Sequence, residues 1–193
     1  MDTPTETRFD AIVIGASLGG VQAISQILSS LPRTLNVSIL IVLHSGPSSP
    51  RLLDAIFSSH TSMKVGYAVE GEEIKKEHIY IAPPDRHLEV RFPGVIHLSA
   101  EPKVKHSRPA ADRLFQTTVS VYGSRTLGVV LTGGDGDGTN GAKAINAAGG
   151  AVIVQDPGDA LAPDMPRHVL GDDHPDYCVP LEKIGPLIAD LAM

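Results

Sequence analysis

The sequence predicts a three-layer α/β fold: a mostly parallel open sheet with helices on both faces and an antiparallel hairpin in the middle. Three observations point there. Short unbroken apolar runs, such as 10–14 and 37–43, stop abruptly at a glycine or a polar residue, as strands buried on both faces do. Between these runs, apolar residues recur at helical spacing. The 19 glycines and 15 prolines supply tight loops between small, closely packed elements.

Each element follows in order. Asp10–Ile14 reads as the first strand and ends in Gly15. Val21, Ile24, Ile27, Leu28 and Leu31 share one helical face, which Pro32 closes. Val37 to Leu43 is a second buried strand, ending at His44, so the first three elements form a βαβ unit of right-handed crossover. Gly46–Pro47–Ser48–Ser49–Pro50 is a loop, and Leu52, Leu53, Ile56 and Phe57 make a short helical face. Ile79–Ile81, Leu88–Val90 and Val95–Leu98 are extended stretches separated by Pro83–Pro84–Asp85 and Phe92–Pro93–Gly94. They read together as an antiparallel hairpin or meander. Ala110 to Tyr122 returns to helix, and Leu127 to Leu131 to buried strand. Ala142 to Ala148 is a helix stopped by Gly149–Gly150, Ala151 to Val154 a strand, and about Leu181 to Leu191 the final helix. One domain over 10–193, preceded by a polar tail at 1–9, accounts for the chain.

Composition bounds the function. With 42% hydrophobic and 20% charged residues, the chain can bury a core and carries no disorder signature. A net charge of −6 argues against a nucleic-acid protein, whose footprint is basic. Cys178 is alone, which excludes an intrachain disulfide and suits a reducing cytoplasm. No window approaches the roughly 20 apolar residues of a membrane span, and the first ten residues are too polar for a signal peptide. The expectation is a cytoplasmic protein without membrane insertion.

In open α/β sheets ligands bind beyond the carboxyl ends of the strands. Ser17, His44 and an aspartate of the Gly-rich segment after Leu131 all fall at that edge, and they are the residue types of nucleophile, general base and orienting carboxylate. Ser17 lies in Gly15–Ala16–Ser17–Leu18–Gly19, a G-x-S-x-G pattern whose small residues permit a sharp strand-to-helix turn. The same serine could simply cap the helix, or the turn could cradle a phosphate. A dinucleotide is disfavoured, because that fingerprint wants glycine at 17 and an acid where His44 ends the second strand. His60, His78, His97 and His174 show no metal-ligand spacing; His87 and His106 sit near loops over the sheet edge, without an assignable role. Thr132–Gly141 holds five glycines, with Asp135 and Asp137 both near the next helix's N-terminus, where a carboxylate stays ionised. Either could orient the histidine. The chain order Ser, His, Asp differs from the α/β-hydrolase order, so a serine hydrolase here belongs to another fold.

Several segments in order resemble one family, the catalytic domain of the protein-glutamate methylesterases of bacterial chemotaxis (CheB). They are Ile14–Gly20, Val42–Leu43–His44, Tyr80–Ile81–Ala82–Pro83 with His87–Leu88, Arg108–Pro109 with Leu114–Phe115, Gly128–Gly133, Asp137–Gly138, Gln155–Asp156–Pro157 and Met165–Pro166–Arg167. The resemblance implies that Ser17 is the nucleophile, His44 the base and Asp137 the acid. It also implies an oxyanion held by backbone N–H groups at Leu18 and Gly134, with no metal or organic cofactor. The implied reaction is hydrolysis of glutamate methyl esters on the cytoplasmic domain of a methyl-accepting chemoreceptor, with glutamine deamidation as a second activity. The competing class is a non-catalytic module of the same fold that docks a receptor or a nucleotide. Two departures stand out. The usual Thr-Gly-Met-Gly-x-Asp-Gly reads here Thr132–Gly133–Gly134–Asp135–Gly136–Asp137–Gly138, and the residue after the nucleophile, often Thr, is Leu18. The first strand begins at Asp10, so the expectation is a stand-alone form without the phosphorylatable receiver domain of full-length members.

Overall fold

The computed structural model describes residues 7–172 and 175–193; His174 and residues 1–6 of the expected tail lie outside them. Seven parallel strands form the central sheet. In chain order they are β1 (Ala11–Ala16), β2 (Ser38–Leu43), β3 (Lys64–Tyr67), β4 (His78–Ile81), β7 (Thr126–Val130), β8 (Ala151–Gln155) and β9 (Tyr177–Val179). Their spatial order is β3-β4-β2-β1-β7-β8-β9, so the chain starts mid-sheet, grows to one edge, and then crosses back to build the other half. Between these halves, β5 (His87–Arg91) and β6 (Val95–Ser99) form a separate antiparallel hairpin.

Side chains of the central strands alternate between two apolar layers, as a period of two requires. Ile12, Ile14, Ile39, Ile41, Leu127 and Val129 face one layer, with α1 (Gly20–Ser30), α2 (Leu53–Ser58) and α6 (Leu181–Ala192). Val13, Leu40, Val42, Val130 and Val152 face the other, which is closed by α3 (Ala111–Tyr122), α4 (Thr139–Ala147), α5 (Asp164–Asp172) and the hairpin. The packed region begins before β1: Phe9 is fully buried and Thr7 nearly so.

Two expectations change. Ile79–Ile81 is not part of an antiparallel meander: it is the core of β4, parallel to β2 through Ile39↔Ile79 and Ile41↔Ile81, and among the described strands only β5 and β6 pair antiparallel. The turn residues at 83–85 mark an exit from the main sheet, and local patterning cannot reveal a partner 40 residues earlier. Three elements have no counterpart in the reading above: β3, β9 and α5. The two strands are short, partly exposed sheet edges that need no apolar run.

Helix α3 packs against the sheet and α4 where glycines make room for Phe115 and Ala111. A Cβ on Gly141 would stand 2.4 Å from Phe115 Cβ; one on Gly15 would stand 2.7 Å from Ala111 Cβ and 3.4 Å from Phe115 Cζ. Because Phe115 Cβ is fixed by its backbone, no rotamer change relieves the first contact. Gly141→Ala should therefore destabilise by about 1–3 kcal/mol, despite a helix-propensity gain of up to about 1 kcal/mol. A lower urea midpoint with unchanged slope is the expected reading; a raised midpoint would mean that α3 and α4 separate freely.

Candidate active site

Strand register builds the site. Ala16 and Leu43 are register partners, so Ser17 and His44 are the first residues past two adjacent strand ends. The His44 N–H donates to Ala16 O at 3.0 Å, and the Ser17 N–H donates to Thr132 O, just beyond the third central strand, at 2.9 Å. Gly19 caps α1 with φ +82, and a Cβ on Gly20 would stand 2.5 Å from Leu43 Cδ1. These glycines allow the chain to turn tightly from Ser17 into the helix.

His44 is anchored from below. Its Nε2 lies 2.7 Å from Oδ2 of Asp137, which is fully buried. The same carboxylate accepts the N–H groups of Ala111 (2.6 Å), Asp112 (2.9 Å) and Gly138 (2.9 Å). Ala111 and Asp112 open α3, so the anion sits where helix N–H groups and dipole favour it. An ionised carboxylate only accepts, which fixes the proton on Nε2 and leaves Nδ1 as the lone-pair nitrogen of neutral His44. Burial disfavours a charged ring, but the hydrogen bond to Asp137 and the charges of Asp137 and Asp135 outweigh it, so the His44 pKa is raised above 6.5.

The Nδ1 side is shared. Asp135 Oδ2 and Ser107 Oγ each lie 3.5 Å from Nδ1. Ser17 Oγ makes no hydrogen bond to His44 or to any other described residue, so the Ser17–His44 contact is open. Such contacts commonly tighten only around a substrate.

The other expected positions are free to donate. Among the described residues, neither the Leu18 nor the Gly134 N–H has an acceptor, and both residues are exposed. Their turns are held by Thr132, whose hydroxyl donates to Leu18 O (2.8 Å) and accepts the Ala162 N–H (2.8 Å). The Thr132 N–H in turn donates to buried Gln155 Oε1 at 3.0 Å, which gives the Gln155–Asp156–Pro157 motif a structural task. A Cβ on Gly133 would stand 2.0 Å from Met165 Sδ and 3.0 Å from Ser17 Cβ, so a larger residue here must displace the buried Met165 side chain and press on Ser17.

Sequence reasoning missed Ser107 and Lys105. They belong to a tight turn in which Val104 and Ser107 exchange backbone hydrogen bonds, with Lys105 (φ 45) and His106 (φ 67) both left-handed. Non-glycine residues held so cost on the order of 1–3 kcal/mol each and persist where contacts enforce them. Lys105 Nζ supplies such contacts, donating to Gly136 O at 2.5 Å and pairing with Asp112 Oδ2 at 3.2 Å. No local turn signal announces this, because neither position is Gly or Asn. The turn borders a cavity of about 300 Å³ that also includes His44, Lys103, His106 and Arg108. A second cavity of about 380 Å³, lined by Leu43, Leu53, Tyr67 and Ala82, shares His44. Among the described residues no three His, Cys, Asp or Glu side chains gather as a metal site.

A hydroxyl, an imidazole and a buried carboxylate brought together at the carboxyl edge of a parallel α/β sheet is the layout of serine esterases and peptidases. Comparison with known proteins narrows this class. The sequence profile of the CheB methylesterase family matches residues 12–188, and the chain belongs to that family. It is 39% identical over 184 residues to a Leptospira interrogans protein, covering 95% of each chain. A Pyrococcus abyssi protein named protein-glutamate methylesterase/protein-glutamine glutaminase is 38% identical, and there 90% of this chain covers 48% of the relative's length. The crystal structure of the Thermotoga maritima CheB methylesterase catalytic domain superposes with a TM-score of 0.91 at 33% identity, over 95% of this chain and 99% of that one. Among the described residues no helix is long and apolar enough to cross a membrane.

Asp137→Asn leaves the shape but turns an NH2 group toward at least one of four donors. It should destabilise by about 2 kcal/mol or more, read as a lower melting temperature, and it should also lower the His44 pKa in an NMR titration. An unchanged His44 titration would separate the two residues.

Proposed function

We propose that this chain is a serine esterase, a protein-glutamate methylesterase whose single catalytic domain spans residues 10–193. The observation that carries the reading is the buried Asp137–His44 pair beside a serine whose hydroxyl, and whose neighbouring N–H groups, are uncommitted. Ser17 Oγ attacks the ester carbonyl carbon while its proton passes to His44 Nδ1. The N–H groups of Leu18 and Gly134 hold the tetrahedral oxyanion. Asp137 stabilises the imidazolium, which then protonates the departing methoxide to give methanol and an acyl-Ser17 ester. Water attacks that ester, His44 again takes and returns the proton, and the products are a glutamate side chain and free Ser17. An amide in place of the ester releases ammonia by the same steps, so glutamine deamidation is the second activity.

The substrate is the cytoplasmic domain of a methyl-accepting chemoreceptor, and the enzyme acts in the cytoplasm without a metal or organic cofactor. Leu18 and Leu161 are exposed at 65% and 72%. Leu161 also packs over the turn at Gly19, so this rim offers apolar contact to a folded segment carrying the ester.

Ser17→Ala and His44→Ala should each lower methanol release from a methylated receptor fragment by several orders of magnitude. The double variant should be scarcely worse, because the groups act as one unit; additive losses would mean separate roles. A fluorophosphonate probe should label wild type at Ser17 and leave Ser17→Ala unlabelled, whereas a docking module would label in neither.

The pH dependence has a definite sign. His44 is a base only when neutral, and its pKa is raised above 6.5. The rate should therefore rise with pH through a midpoint above that value. An acid limb centred below it would contradict the charge environment of the ring.

A further inference from the structure

His44 meets two carboxylates, and the mechanism uses one. Asp137 lies on Nε2; Asp135 Oδ2 lies 3.5 Å from Nδ1, the nitrogen that must accept the Ser17 proton. Asp135 is not a loose surface group. Its Oδ1 accepts the Asp137 N–H at 2.9 Å, which fixes the side chain two residues before the acid it serves. A carboxylate facing Nδ1 is attracted to an N–H there and repelled by a lone pair. It therefore favours the ring with both nitrogens protonated, one carboxylate at each end. In that state Nδ1 is unavailable to Ser17, in keeping with the open Ser17–His44 contact.

We propose that Asp135 is a positioning residue that holds protonated His44 by its Nδ1–H and thereby sets the pH at which this nitrogen is released to Ser17. The inference rests on His44 being the base of the proposed esterase. When Ser17 attacks, its proton is only partly transferred to Nδ1 in the transition state, so the same carboxylate stabilises that state less than the fully protonated resting ring.

Other groups surround the ring. From the Gly-rich loop before α4 come Asp137 and Asp135, and from the facing turn comes the neutral Ser107 hydroxyl. Lys103, His106 and Arg108 line the cavity beside the ring. Arg108 is committed to Asp85 Oδ1 at 2.6 Å, and Lys105 to Gly136 O and Asp112. His168 packs against Gly136 behind the loop and bonds Asp164 O at 2.7 Å. Among the described residues, Asp137 and Asp135 are the groups whose negative charge raises the His44 pKa. His106 is the second imidazole at this cavity and serves as the control.

Asp135→Asn is the discriminating variant, because its Oδ1 can still accept the Asp137 N–H while the charge is gone. Two readouts on the full chain decide the matter: the pH profile of Ser17 labelling by a fluorophosphonate, and the NMR titration of the His44 ring, assigned by its loss in His44→Gln. In Asp135→Asn both midpoints should fall together, and labelling below the wild-type midpoint should rise several-fold. Asp135→Glu, which keeps the charge, should retain a high midpoint, and His106→Gln should leave it in place. Unmoved midpoints in Asp135→Asn would overturn the assignment, as would equal loss of labelling at every pH or a shift produced by His106→Gln instead. If wild type never labels at Ser17, the esterase reading fails; a lowered His44 titration in Asp135→Asn then still supports the Asp135 contact.

Discussion

The site hangs on one buried anion. Asp137 has no access to water, and a carboxylate taken out of water is costly unless its lone pairs are filled. Here they are: two N–H groups from the start of α3, one from Gly138 and one from the His44 ring. The same four bonds tie together the end of β2, the start of α3 and the Gly-rich loop before α4. Stability and chemistry are thus served by a single group, and a change there disturbs both.

That anion can be satisfied only if α3 comes close to the sheet, which is a matter of volume. Gly15, Gly128 and Gly141 leave space for the Phe115 ring and let α3 settle against β1, β7 and α4. With the helix axis so fixed, its first N–H groups point at the loop carrying Asp137. Three glycines far apart in sequence therefore act on the imidazole through one phenylalanine and one helix terminus. Asp112, also in the first turn of α3, extends the arrangement. Burial pushes its pKa up, while its Oδ1 accepts the Gly141 N–H at 2.8 Å and Lys105 lies against Oδ2.

Lys105 shows how the outer shell is held. It reaches from the turn at 104–107 to the backbone of Gly136, so the turn that presents Ser107 to His44 is clamped to the loop that presents Asp135 and Asp137. Arg108 does similar work on the other side, bonding Asp85 and the carbonyls of Ala100 and Glu101. The surroundings of Nδ1 are thereby held from two sides, while Leu18 and Gly134 stay exposed on the side of Ser17, which the proposed mechanism uses.

The sequence by itself determined the central βαβ unit and set Ser17, His44 and an aspartate of the Gly-rich loop at one edge of the sheet. Short unbroken apolar runs that stop at glycine or a polar residue read as doubly covered strands, and the residues directly after such runs lie at their ends. It also narrowed the acid to two aspartates of a loop whose glycines were plain to read. What it left open depends on contacts between distant residues. Ile79–Ile81 joins the parallel sheet because β2 offers a partner, which no local pattern contains. Asp135 and Asp137 are near-identical in local sequence, and only the packing of α3 decides that one is buried on Nε2 and the other half-exposed on Nδ1. Ser107 and Lys105 lie in a turn built without Gly or Asn, whose geometry exists because a lysine finds a carbonyl 31 residues away. Periodicity reports which faces are covered; the positions of charges and protons follow from what does the covering.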